Sequence, residues 1–130
     1  MPHLKIEYSS QLASSVDIGS VCRAAYTAMK EAGIFPLAGI RVRAYATDYA
    51  IVADDMENNN FAALTLSVGS GRDKQTLKAA GEQIFSAVQS ALKEPLATSH
   101  FALSLEIRII DPDLNWKDTP IHSRLSKSDE

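Results

Sequence analysis

Residues 61–72 read FAALTLSVGSGR, and the stretch decides the fold because it states a strand, a turn and the approach to a helix in one short run. FAALTLSV, residues 61–68, has β character, Gly69-Ser70-Gly71-Arg72 make a tight turn, and Asp73 stands where a helix N-cap belongs. Downstream, Leu77, Ala80, Ile84, Ala87, Val88, Ala91 and Leu92 keep the 3–4 spacing of a helix with one buried face, and Pro95 lies near its end. FALSLEIRII, residues 101–110, then closes the unit as a strand with Phe101, Leu103, Leu105, Ile107 and Ile109 on one face.

The same order already stands upstream. In PHLKIEY, residues 2–8, Pro2, Leu4, Ile6 and Tyr8 alternate with His3, Lys5 and Glu7, the period of a half-buried strand. Asp17 can cap a helix whose apolar residues Ile18, Val21, Cys22, Ala25, Ala28, Met29 and Ala32 share a face, and Gly33 is its stop. After Pro36, GIRVRAYAT sets Ile40, Val42, Ala44 and Ala46 against Arg41, Arg43 and Tyr45 on opposite faces of a strand. Two strand–helix–strand units predict an α/β (α+β) sandwich: a four-stranded mixed sheet with both helices on one face and right-handed crossovers. We expect one domain over residues 2–122, with halves 2–52 and 61–110. The polar stretch ADDMENNN (53–60) joins them, and a Pro- and Trp-containing tail over 111–130 ends in a loose SRLSKSDE. One sheet face stays uncovered, which self-association into a closed homo-oligomer would relieve.

Composition bounds the function. A chain of 130 residues can bury a core without metal or disulfide support, and its lone Cys22 rules out an internal disulfide framework. Cys22 sits on the apolar stripe of the first helix and reads as a structural thiol. With 13 Lys+Arg against 16 Asp+Glu, the net charge of -3 argues against nucleic acid or an anionic membrane as the main partner. Any anion must be held by a few well-placed cations. No segment has the character of a signal peptide or a membrane span, so a soluble cytoplasmic protein is expected.

Pro2 is the residue with the most chemistry in it. Loss of Met1 would leave a secondary amine at the start of the first strand; a free α-amino group titrates near ~7.7–8.0, against ~10.4 for lysine, so little perturbation makes it a base at neutral pH. A retained Met1 would turn that nitrogen into an amide and remove the base. Arg41 and Arg72 suit carboxylates through their planar fork and do not compete for the proton; Arg43 shares the strand face of Arg41 without a defined role. Arg72 also follows a Gly-x-Gly turn at a helix start, where backbone N–H groups favour an anion. GSGR lacks the ending and spacing of a phosphate loop, and His3, His100 and His122 show no metal-ligand spacing. Neither a cofactor nor a metal is expected.

An amino-terminal Pro after Met1, GIFPLAGIRVR at 33–43 and GSGR at 69–72, followed by FALSLEI at 101–107, PDLNWK at 112–117 and His122, together resemble the 5-carboxymethyl-2-hydroxymuconate isomerase family of the tautomerase superfamily. The resemblance spans nearly the whole chain. It implies a homotrimer with active sites near subunit interfaces, a small-molecule carboxylate substrate and no cofactor. It also implies catalysis by Pro2, Arg41 and Arg72: the proline amine takes a proton from the 2-hydroxyl of an unsaturated di- or tricarboxylic acid and returns it to a distant carbon, a step in aromatic-compound breakdown. Other chemistries of the superfamily remain open on these residues, namely phenylpyruvate-type tautomerisation and hydration or dehalogenation, as does a non-catalytic trimer that binds small diacids.

Overall fold

The computed structural model describes residues 2–128. β1 (His3–Ser9) buries Leu4 and Ile6 and turns His3, Lys5 and Glu7 to the other face. α1 (Ile18–Glu31) begins at Asp17, whose carboxylate accepts the Gly19 N–H at 3.0 Å and the Ser20 hydroxyl at 2.9 Å. It ends before Gly33, whose φ of 73° is the left-handed conformation that a residue without a Cβ adopts at little cost. β2 (Arg41–Thr47) then runs parallel to β1.

The second unit repeats the plan. β3 (Asn60–Gly69) buries Ala62, Leu64, Leu66 and Val68, and α2 (Lys74–Ala91) is capped by Asp73, which accepts the Thr76 N–H at 2.8 Å. Leu77, Ala80, Ile84 and Val88 of α2 are buried as their spacing predicts, while Ala87 and Ala91 are half-buried. A single turn, α3 (Lys93–Leu96), contains Pro95, and β4 (Phe101–Ile110) runs parallel to β3. The alternation of β4 holds through Ile107 and stops at Ile109, 60% exposed on the edge strand.

The sheet order is β2-β1-β3-β4, with β1 and β3 antiparallel at the centre and each helix following its own strand onto one face. Leu4, Ile6, Leu64, Leu66 and Val68 from the sheet meet Met29, Ile84 and Val88 from the helices in a core where every one of these side chains is fully buried. Burying each such aliphatic chain contributes about 1.5–3 kcal/mol. Gly81 lets α2 lie close on β4, because a Cβ there would stand 3.0 Å from Ile107 Cδ1.

Two connecting regions are more ordered than their composition suggests. In the polar 53–60 stretch, Ala53 and Asp55 adopt φ of 54° and 62°. Gln11 and Asn59 hold that loop: the Gln11 amide donates to the Glu57 and Asn59 carbonyls, and the Asn59 amide to the Val52 carbonyl and the Asp54 carboxylate. The tail corrects the expectation of a loose end. Residues Pro120–Ser128 form α4, which packs on the 3-10 turn Leu37–Gly39; Pro120 is suited to a first helical turn, and Leu125 is half-buried. Glu130 and its neighbour at 129 lie outside the described residues. Among the described residues, no helix is long and apolar enough to cross a membrane.

Candidate functional site

Strand direction gathers the sequence-predicted residues at one end of the sheet. Because β1 and β2 are parallel and in register from His3↔Arg41, Pro2 lies beside the start of β2, and the Arg41 N–H donates to the Pro2 carbonyl at 3.1 Å. Because β3 runs the other way, with His3 opposite Ser67, its last residues and the Gly69–Arg72 turn reach the same end. β4 also finishes there, Ile110 beside Gly69, so the tail starts from this end.

Pro2 is fully buried. Arg41 folds back on the neighbouring turn. Both N–H bonds of its Nη1 go to carbonyls, Ala38 at 3.1 Å and Gly39 at 3.0 Å, which leaves Nε and Nη2 without a partner among the described residues. Arg72 is held more completely: Nε and Nη2 both donate to the Ile34 carbonyl, at 3.2 and 2.9 Å, Nη1 reaches toward the Gly69 carbonyl at 3.5 Å, and the guanidinium lies over the Phe35 ring at 5.2 Å. Phe35 is thus the floor beneath a cation. Fixing charged groups before a ligand arrives spares the cost of ordering them during binding.

Of the three predicted residues, Arg72 alone lines the cavity beside the tail. Arg72 lines a cavity of about 380 Å³ with Pro36, Gly39, Lys117, Asp118 and His122, and Arg41, which donates to the Gly39 carbonyl, is not among its lining residues. Lys117 escaped the sequence reading because no spacing relates it to Arg72; only the course of the tail brings them together. The helix start after Arg72 is capped as expected: the Asp73 carboxylate takes the Thr76 N–H, so an internal anion occupies that end of α2. A larger cavity of about 500 Å³ at the opposite end of the sheet holds Asp55 and Glu57 and no arginine or lysine, a poor environment for an anionic ligand.

On the open sheet face, His3 sits between Arg41 and Ser67. Burial, and then the positive charges of Arg41 and Arg43, hold its imidazole below the usual value, and its Nε2 is buried with no hydrogen-bond partner among the described residues. Cys22 is half-buried on α1 and burial raises its thiol pKa, as suits a structural side chain. His100 Nδ1 contacts Asn59 Oδ1 at 3.0 Å in the loop network, while Trp116 is 84% exposed.

Comparison with known proteins gives this geometry a family. The 5-carboxymethyl-2-hydroxymuconate isomerase profile matches residues 2–125. The chain is 31% identical over 123 residues to the Escherichia coli 5-carboxymethyl-2-hydroxymuconate Delta-isomerase, covering 95% of this chain and 98% of that one. A crystal structure of a 5-carboxymethyl-2-hydroxymuconate delta-isomerase superposes with a TM-score of 0.88 at 30% identity, over 96% of this chain and 93% of the other. A Deinococcus radiodurans R1 isomerase of the same description gives 0.87 at 29%, over 95% and 93%. At 16% identity and a TM-score of 0.65, over 93% and 98%, the chain shares its fold alone with a fused 4-OT described as a symmetric trimer. The chain belongs to the 5-carboxymethyl-2-hydroxymuconate isomerase family, isomerases built on the tautomerase fold.

Proposed function

We propose that the chain, once Met1 is removed, isomerises 5-carboxymethyl-2-hydroxymuconate with the Pro2 amine as general base and with Arg41 and Arg72 as the groups that hold carboxylates and answer developing charge. The amine accepts the 2-hydroxyl proton as electron density moves along the diene, and the prolinium returns that proton to a distant carbon, leaving a conjugated 2-oxo acid. The base is restored as the product forms, so the proposed cycle needs neither metal nor organic cofactor. A free α-amino group titrates close enough to neutral pH to serve as a base without a large perturbation.

The observation that carries this reading is the placing of Pro2, Arg41 and Arg72 at one end of the sheet, each guanidinium held by backbone carbonyls with N–H groups to spare. A homotrimer, set in the cytoplasm and in aromatic-compound catabolism, completes the proposal. It is supported by the uncovered sheet face and by the trimeric description of the fused 4-OT.

The test combines intact-mass measurement with a dienol-to-enone assay. The processed chain should turn over the substrate, and a form that keeps Met1 should lose the ~10²–10⁴-fold contribution typical of a general base. Pro2→Ala, which still offers a primary amine, should fall by roughly the lower figure while remaining folded. Equal rates in all three would remove Pro2 from the mechanism. A panel that includes phenylpyruvate enol and a halogenated acrylate assigns the substrate class.

A further inference from the structure

We infer that Lys117 and His122, in the cavity beside Arg72, form a subsite for the third carboxylate of a tricarboxylic substrate. The inference rests on the substrate proposed above and deepens it. Arg41 and Arg72 account for two carboxylates, but a 2-hydroxymuconate bearing a carboxymethyl arm has three. The third needs its own cation, since an anion taken from water without one loses hydration it cannot replace.

The cavity beside Arg72 supplies that cation. Its wall on one side is Pro36 and Gly39, and on the other the tail contributes Lys117, Asp118 and His122. Arg72 and Lys117 together outweigh the single Asp118 carboxylate, and the His122 ring offers an N–H donor in either protonation state. The Nε–Nη2 side of Arg72 is consumed by the Ile34 carbonyl and its Nη1 reaches toward the Gly69 carbonyl at 3.5 Å, so what remains of Arg72 serves the carboxylate already assigned to it and Lys117 is the cation for the arm. The 37–39 turn joins the two stations: its carbonyls hold Arg41 on one side and its Gly39 lines the cavity on the other. Because α4 packs on that same turn, the tail forms one side of the cavity. A substrate lying across the turn would present its core to Pro2 and its arm to Lys117.

Lys117 is exposed, so its replacement leaves the core intact, and two substrates isolate its role. For the tricarboxylate, Lys117→Ala should raise KM roughly ten- to a hundredfold with kcat little changed, the loss expected for one charge-assisted hydrogen bond. For 2-hydroxymuconate, which lacks the arm, KM should stay as in the wild type. Lys117→Arg should restore most of the affinity, and His122→Gln should show a smaller rise confined to the tricarboxylate. Parallel changes for both substrates, or none for either, overturn the subsite. If the processed wild type turns over neither substrate, the proposed reaction fails, and calorimetry still decides the subsite. Propane-1,2,3-tricarboxylate should bind the wild type more tightly than glutarate, and Lys117→Ala should abolish that preference. No preference in the wild type, or an unchanged one in the variant, refutes it.

Discussion

Arg72→Lys keeps the charge beside Phe35 and removes the fork, which separates what the cation does from what its geometry does. The wild-type side chain donates twice to the Ile34 carbonyl and stacks on the ring. A lysine ammonium can keep one of those bonds. The variant therefore loses one charge-assisted hydrogen bond, about 1.5 kcal/mol at the lower end of the range, and part of a cation–π contact worth about 0.5–1. Arg72 is only half-buried, so water offsets some of this, and a net loss of about 1 kcal/mol is the expectation. With a urea slope of about 1–3 kcal/mol/M, the unfolding midpoint should fall by roughly 0.3–1 M. Turnover should suffer more, because an ammonium cannot grip a carboxylate in two places; kcat/KM should drop about ten- to a hundredfold, with Arg72→Met lower still. Urea titration and steady-state kinetics on the processed protein test both numbers. A lysine variant within twofold of the wild-type kcat/KM, with an unshifted midpoint, would show that the held guanidinium contributes only its charge.

Three further outcomes follow from the packing and electrostatics. Gly81→Ala gains about 1 kcal/mol of helix propensity but sets a methyl 3.0 Å from Ile107 Cδ1, so its benefit should emerge only beside Ile107→Val; thermal unfolding of the two single variants and the double would show additivity if that contact were irrelevant. Asp73→Ala removes the carboxylate that accepts the Thr76 N–H and should lower the urea unfolding midpoint, with the Gly69–Arg72 turn loosened and KM raised; unchanged stability would rule out the cap. His3 is held below the ordinary imidazole value of about 6.5, so the unfolded chain binds more protons just below that pH, and stability falls as pH drops from about 6.5 toward the folded-state value. His3→Gln should lack that component; identical pH profiles for variant and wild type would show that His3 does not contribute.

Local rules were sufficient wherever one face of an element is buried by its own unit. The period-2 runs of β1 and β3, the caps Asp17 and Asp73 and the stop at Gly33 all stand where their side-chain chemistry puts them. What escaped was decided by contacts distant in sequence. The tail carries only Ile121 and Leu125 as large apolar residues in α4, too little for a helix by itself, and it forms because the 37–39 turn receives it. Lys117 joins Arg72 for the same reason, and Ala53 and Asp55 take left-handed backbone in a loop secured by Gln11 and Asn59. The arginines were legible as residues suited to anions, but their attachments to Ile34, Ala38 and Gly39 were not, since they join a guanidinium to main-chain carbonyls that carry no signature of residue type.

The repeat also explains why one end of the sheet, and not both, is suited to the proposed chemistry. The two strand–helix–strand units meet at an antiparallel central pair, which gives β1 and β3 equivalent places and sends their starts to opposite ends. At the start of β3 stands Asn60, whose nitrogen is a peptide N–H committed to the His100 carbonyl at 2.8 Å. An amide nitrogen has no basic lone pair, so the β3 start cannot serve as a base whatever surrounds it. The β1 start can, because loss of a single residue turns its peptide nitrogen into an amine. The cations follow the same asymmetry: Arg41 and Arg72 accompany the β1 start, while the larger cavity at the other end is lined by Asp55 and Glu57. The duplicated architecture thus offers two equivalent positions, and the chemistry of the peptide bond leaves only one of them available to general-base catalysis.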